Sequence, residues 1–197
     1  QTQKNKSSQT EMYGTLKHGE VTHKVLAGYE YTKTTWNQNS AFDYWDQVNL
    51  NNPTYLPQPT PPLTFGLIGF TQNTNQSSNA FYLQDQVSYA GWRLLAGIRN
   101  DNVNASNSVT SDMGAPYSTS GTQGATTGRA GLLYMITPAT SAYYSWSQSF
   151  NSNATYASPN GGLIPASRGM QNEVGLKHNF WTGLDGTISL FNITKTN

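Results

Sequence analysis

The chain has 197 residues and a formal net charge of +1, with 11% charged and 36% hydrophobic residues, 18 Gly and 12 Tyr. This composition suits strands and turns better than helices, and its low hydropathy comes from neutral Asn, Gln, Ser and Thr, which excludes a charge-driven disordered chain. The lack of Cys excludes a disulfide framework and a thiolate metal site, the scattered charges exclude an electrostatic footprint for nucleic acid, and no run nears the ~20 apolar residues of a membrane helix.

Period-two alternation recurs along nearly the whole chain and is broken by turn signals. It predicts strands over roughly 8–17 and 20–36, joined at His18-Gly19. A long polar, Pro-containing stretch over roughly 37–76 leads to strands near 77–89 and 92–104, joined at Ala90-Gly91. A second polar loop, about 105–125, precedes strands near 126–137 and 140–151, with Pro138-Ala139 between them. A third loop, about 152–168, precedes strands near 169–179 and 182–196 around Phe180-Trp181-Thr182. The chain opens on Gln1 with no initiator Met, which points to a mature segment or an excised piece.

Short and long connections alternate, so they must emerge at opposite ends of one up-and-down sheet. Outer-membrane barrels are built this way, with short periplasmic turns and long extracellular loops. The strands are also long: globular strands cluster at ~5–6 residues, whereas a tilted membrane strand needs ~9–11.

Facing is clearest in the third hairpin. Ala130, Leu132, Tyr134 and Ile136 alternate with Arg129, Gly131, Leu133 and Met135, and Ala142, Tyr144, Trp146 and Phe150 alternate with Tyr143, Ser145, Ser147 and Ser149. In a sandwich the apolar face would be the core; in a porin-like wall it meets lipid while the serine face lines a wet lumen. Trp36, Trp92, Trp146 and Trp181 are then expected as interfacial girdle residues.

No catalytic constellation is present: there is no Gly-x-Ser-x-Gly elbow, no phosphate-cradling glycine loop and no HExxH helix, and His18, His23 and His178 are far apart. "GTQGATTG" (121–128) reads as a flexible rim loop. The 37–76 loop is the richest recognition element, because Phe42, Tyr44, Trp45 and Tyr55 lie among Asp43 and Asp46 on a stretch stiffened by prolines.

In "AFYLQDQVSYAGWRLLAGIRND" (80–101), simple alternation groups Asp85 with Phe81, Leu83 and Val87. A carboxylate on lipid is costly, so Asp85 is expected in the lumen with Arg99 and Asp101, with Tyr82, Gln84 and Gln86 turned outward. A two-residue turn would pair Asp85 with outward Ala96, so this expectation requires a longer turn or a bulge.

Several segments together resemble the barrel of a TonB-dependent siderophore receptor. "THKVLAGYEY" (22–31), "VNLNNPTYLPQP" (48–59), "FYLQDQVSYAGWRLLAGIRND" (81–101), "GRAGLLYMITPATSAYYSWSQSF" (128–150) and "GMQNEVGLKHNFWTGLDGTISLFNITKTN" (169–197) fall in that family's order. The resemblance implies an all-β, antiparallel up-and-down transmembrane β-barrel segment of about eight strands, with short periplasmic turns and long extracellular loops. Residues 1–197 are then expected to be a partial barrel domain, with the plug and remaining strands outside this sequence.

The function implied is that of an outer-membrane receptor and transporter for ferric siderophores, not an enzyme. It implies no cofactor, since iron enters only inside the siderophore, and no nucleic-acid partner. The partners implied are the ferric siderophore, outer-membrane lipid, and the TonB energy-coupling protein acting through the plug. The resemblance makes Tyr44, Trp45 and Tyr55 expected ligand contacts. The residues alone leave two other readings open: a secreted, soluble β-sandwich that stacks sugars on its aromatic residues, and a complete eight-stranded outer-membrane barrel.

Overall fold

In a computed structural model, which describes residues 1–42, 51–53, 68–156 and 163–196, the chain forms one eight-stranded antiparallel sheet in the order β1-β2-β3-β4-β5-β6-β7-β8. The strands are β1 (Thr2–His18), β2 (Val21–Phe42), β3 (Ile68–Tyr89), β4 (Trp92–Ser111), β5 (Gly114–Met135), β6 (Thr140–Asn151), β7 (Ser167–Trp181) and β8 (Leu184–Thr196). Each pairs with its sequence neighbours, as the alternation predicts. A single sheet rules out the sandwich, and β1 is not hydrogen-bonded to β8 in the sheet order, so the eight strands do not close into a small barrel.

At one end the connections are tight. Gly19, Ala90 and Gly183 take φ of 60°, 47° and 92°, the left-handed backbone that two-residue hairpins demand. Ala90 is the residue without glycine's freedom there, and the Arg93 guanidinium braces that turn by donating from Nη1 to the carbonyls of Ala90 and Trp92 at 2.9 and 2.7 Å.

At the other end, the expected loop over 105–125 is instead strand. β4 and β5 run on to a two-residue turn at Asp112-Met113. β6 pairs β5 only from Arg129 to Met135, so the upper β4–β5 hairpin projects beyond β6. The other two long connections are present, between β2 and β3 and between β6 and β7, but the first is shorter than expected, because β2 runs on to Phe42 and β3 begins at Ile68.

The reason the hairpin escapes sequence reading lies in β4. Near its short-turn end the even positions Trp92, Leu94, Ala96 and Ile98 form an exposed apolar row. Beyond Arg99 the pattern changes phase: the odd positions Val103, Ala105 and Val109 are buried at 5–6% exposure, while even positions become Asn, Ser and Thr. One strand thus exposes an apolar outer row and, higher up, packs an apolar inner row beneath a polar exterior.

The register carries this face across the sheet. The apolar face holds Met12 and Leu16 of β1, Val25 and Tyr29 of β2, Phe81, Leu83 and Val87 of β3, Leu132 and Tyr134 of β5, Leu176 and Val174 of β7, and Ile188 and Leu190 of β8. Many are strongly exposed, including Met12 at 77% and Leu190 at 76%. Two ring pairs bracket the band: Tyr29–Phe81, with centroids 4.7 Å apart, on the long-loop side, and Trp92–Tyr134, at 4.4 Å, on the short-turn side. From Phe81 to Tyr89 is eight steps of β3, about 27 Å along the strand and about 20 Å in height at a barrel's tilt, close to the ~25 Å apolar band of outer-membrane walls.

Candidate functional site

The opposite face is polar and built from cross-strand contacts. Arg99 on β4 lies at its centre. Its Nη1 donates to Glu30 Oε2 at 3.0 Å and its Nε to both Asp101 carboxylate oxygens at 2.9 and 3.1 Å, while the guanidinium lies 5.6 Å from the centroid of the Tyr82 ring. Tyr82 donates its hydroxyl to Glu11 Oε1 at 2.6 Å and accepts from Gln9 Nε2 at 2.9 Å. Arg129 donates to Gln84. These groups tie β1, β2, β3, β4 and β5 together, and all but Asp101 line a cleft of about 410 Å³.

Glycines let the large side chains lie along the wall. Gly28 is opposite Tyr82 in the register, and a Cβ there would overlap the Tyr82 ring. Gly97 faces Arg129, where a Cβ would be 3.2 Å from Cγ and Nε. The same device recurs on β6–β7, where Tyr143 lies over Gly175, donates to Glu173 and lies beneath the Lys177 ammonium, 5.0 Å from the ring centroid.

Higher on this face is a second cleft, of about 540 Å³, lined by Gln3, Trp36, Gln72, Thr74, Gln76 and Tyr156. Its floor is fixed by buried Asn107, whose Oδ1 accepts from Gln72 Nε2 at 3.0 Å and from Thr74 Oγ1 at 2.9 Å. Its far wall is Thr155 and Tyr156 of the β6–β7 connection, whose described residues contact β5. Gln123 accepts at Oε1 from Ser152 Oγ (2.9 Å) and the Asn153 amide (2.8 Å), and donates from Nε2 to the Ile164 carbonyl (2.7 Å). Leu163 occupies the space that Gly121 leaves open.

Of the residues singled out from sequence, Arg99 and Asp101 are on the polar face and in contact. Asp85 is not with them. The Ala90-Gly91 turn has two residues and β3–β4 has no bulge, so Asp85 pairs with Ala96 on the apolar face and Tyr82 pairs with Arg99 on the polar one. The expectation of a shared Asp85–Arg99 face is therefore corrected. The physical reason is local: His23 Nδ1 lies 2.7 Å from Asp85 Oδ2 and supplies the partner that a lipid-facing carboxylate needs.

Trp36 is likewise on the polar face in the upper cleft, not in a girdle, while Trp92 and Trp146 follow the expected apolar face. Tyr44, Trp45 and Tyr55 lie outside the described residues. Tyr82, Gln84 and Gln86, expected to turn outward, are instead on the polar face, because they alternate with Asp85 and the β3–β4 register is unbroken. Glu11, Glu30 and Tyr156 were not singled out by sequence; the alternation does place Glu11 and Glu30 on the same face as Tyr82 once the register is known. Among the described residues, no group of three His, Asp or Glu is arranged to hold a metal.

A family model described as TonB dependent receptor-like, beta-barrel, matches residues 1–197. The chain is 26% identical over 170 residues to the ferrioxamine B receptor of Salmonella typhimurium (strain SL1344), covering 84% of this chain and 22% of that protein. It is 29% identical over 207 residues to the metal-pseudopaline receptor CntO of Pseudomonas aeruginosa PAO1, covering 96% of this chain and 27% of that one. Among solved structures, the ferric-catecholate import receptor Fiu of E. coli K12 in its closed form superposes with a TM-score of 0.77 at 21% identity, over 96% of this chain and 31% of that one. The chain thus spans about a quarter of the length of the curated relatives it matches.

Proposed function

The chain belongs to the TonB-dependent receptor β-barrel family, and from that premise we propose that the protein to which it contributes is a receptor and importer of ferric siderophores. The family's barrels lie in the outer membrane, and this wall is part of one; the family is one of receptors and transporters, not an enzyme class. The names of the relatives, a ferrioxamine B receptor and a metal-pseudopaline receptor, support a metal chelate as the cargo.

The observation that carries the reading is the opposition of the two faces. An apolar band between two aromatic pairs suits lipid, and the reverse side offers a hydrogen-bonded, charged wall suited to a wet lumen. In this reading the Arg99–Glu30–Asp101 cluster is luminal, and the protein has no cofactor of its own, because iron arrives coordinated inside the chelate. What the chain must supply is surface for the organic shell of the ligand: stacking rings and hydrogen-bond donors. Trp36, Tyr156, Gln72 and Gln76 of the upper cleft have that chemistry, and Tyr44, Trp45 and Tyr55 on the β2–β3 connection are proposed as further contacts. Release into the periplasm would be driven by the TonB protein acting through a plug domain.

The test is uptake. Cells whose sole siderophore receptor is the intact protein should accumulate iron from a ferric siderophore, and should stop when TonB is deleted. Absence of uptake across hydroxamate, catecholate and carboxylate chelates would overturn the proposal.

A further inference from the structure

The inner face is unevenly charged along its height. Arg99 is matched by the carboxylates of Glu30 and Asp101, so this row has no surplus cation. From there toward the long connections, β4 continues as Val103, Ala105, Asn107 and Val109 opposite Ser78, Gln76, Thr74 and Gln72 of β3. Among the described residues, the inner face of β1–β5 carries no Lys, Arg or His beyond Arg99. The cations toward that end are elsewhere: Lys4, Lys6, Lys33 and Arg168 are on the outer face, and Lys195 is on β8 at the opposite edge of the sheet. The connections add charge of one sign. Residues 37–76, 105–125 and 152–166 contain Asp43, Asp46 and Asp112 and no Lys, Arg or His, and Asp112 is fixed by the Gly69 amide, 2.7 Å from its Oδ2.

The upper cleft repeats this bias in its hydrogen bonds. Gln72 directs its amide hydrogens into the wall, with Nε2 3.0 Å from Asn107 Oδ1 and 3.4 Å from Thr74 Oγ1, and Thr74 donates its hydroxyl to the same Asn107 oxygen at 2.9 Å. Buried Asn107 thus takes up the donors of the floor and leaves it oxygen lone pairs. The rings of Trp36 and Tyr156 supply the rest of the surface, apolar toward a methylene chain and attractive toward a cation over their faces. A polyanion entering such a site loses water, meets acceptors where it needs donors, and is repelled by the Asp side chains of the connections.

We infer that the upper cleft selects its ligand by charge: it takes an uncharged or cationic ferric chelate of the trihydroxamate type and rejects a polyanionic one such as a tricatecholate. Each hydroxamate brings a single negative charge, so a trihydroxamate neutralises the ferric ion, whereas each catecholate brings two and a tricatecholate leaves the complex triply anionic. An ammonium on the hydroxamate chain meets the Gln72 and Thr74 oxygens and the ring faces. The inference rests on the receptor reading and narrows its cargo.

The test holds ligand shape nearly constant and varies charge. The intact receptor in detergent is titrated with a linear ferric trihydroxamate bearing a terminal amine, with its N-acetyl derivative and with its N-succinyl derivative, which are cationic, neutral and anionic. The amine and acetyl forms should bind at least tenfold more tightly than the succinyl form, and added salt should narrow the gap. Q76K, which places a cation on the inner face opposite Ala105, should tighten binding of the succinyl form at least fivefold and weaken that of the amine form. Succinyl and acetyl forms bound equally within twofold, or a ferric tricatecholate bound more tightly than all three, would overturn the inference while leaving the receptor reading standing, since a chelate is still bound. No gain for the succinyl form in Q76K would place the selection elsewhere in the receptor and overturn its assignment to this cleft. If Q76K assembles poorly, the wild-type series still decides. A protein that neither binds nor imports any of these chelates would overturn the receptor reading, and this inference with it.

Discussion

Asp85 and His23 meet on the apolar face, with Oδ2 2.7 Å from Nδ1, diagonally across β2 and β3. Asp85 Oδ1 is buried without a hydrogen-bond partner, so the carboxylate depends on the imidazole for its one side-chain contact there. Removing one partner of such a pair costs more than removing both. H23A should therefore destabilise the assembled barrel by about 1–3 kcal/mol, because it strands a carboxylate in the band. D85A should cost less, and H23V/D85V should fall within about 1 kcal/mol of wild type. Denaturant unfolding of the intact protein in lipid vesicles measures this order; H23A milder than D85A would contradict it.

Gly28 and Tyr82 form a second pair, in which the glycine leaves room for the ring to lie along the wall and reach Glu11 and Gln9. G28V puts a branched side chain into the ring and should cost about 1–3 kcal/mol. In the Y82A background the same change meets no ring, and its cost should drop below about 1 kcal/mol. A double-mutant cycle with no coupling would show that Tyr82 has another place to go.

Most of the fold is legible in the sequence because strands in a bilayer must alternate. Period two and turn signals locate all eight strands and the four short connections at one end of the sheet, but not the fifth tight turn, Asp112-Met113. The misses have physical causes. β4 keeps its alternation past Ile98 but changes which parity is apolar, and a row of Ala105, Asn107 and Val109 facing inward looks like loop composition unless the phase change is recognised as the edge of the band. The general cost of a carboxylate on lipid points Asp85 to the lumen, but its partner is invisible in sequence: His23 is 62 residues away and becomes a neighbour only through the β2–β3 register. The upper cleft depends on Tyr156, in a connection with no periodicity to read.

Residues 1–197 expressed alone should not be a well-behaved soluble protein. β1 is exposed along its whole length, β8 ends the sheet at the other side, and large apolar side chains such as Met12, Ile188 and Leu190 are exposed at 72–77%. Unpaired edges invite association and have no partner in a bilayer. Size-exclusion chromatography in plain buffer should give aggregates; a monodisperse monomer that unfolds cooperatively would count against a lipid-facing band.

Gln123 uses its side-chain amide to hold two backbone groups and one hydroxyl of the β6–β7 connection. Q123A removes all three contacts at once and leaves the β5 backbone untouched. Amide exchange at 152–156, Leu163, Ile164 and Ala166 should accelerate by at least tenfold, with β5 protection unchanged. Unaltered exchange would mean that Leu163 against Gly121 holds the connection without the amide.

The ligand contacts are separable by where the aromatic rings are anchored. Trp36 comes from a long strand whose neighbours Gln3 and Thr74 are fixed by register, so its ring is preorganised, whereas Tyr156 is positioned through the connection that Gln123 holds. A preorganised ring loses little entropy on binding and gives a larger loss when truncated. W36A should weaken ferric-siderophore binding to the intact receptor by about 1–3 kcal/mol. Y156A should weaken it by less, and Q123A should reproduce part of the Y156A effect because it releases the same connection. Trp45 and Tyr55, if they are buried anchors, should each cost about 1–3 kcal/mol on truncation to Ala. Equilibrium binding of a ferric trihydroxamate and a ferric tricatecholate, with surface assembly checked by heat-modifiable gel mobility, resolves Q123A and the four aromatic variants. Losses confined to W45A and Y55A would move recognition to the β2–β3 connection, and losses confined to W36A and Y156A would keep it in the upper cleft. No loss in any of the four would remove this part of the wall from ligand recognition altogether.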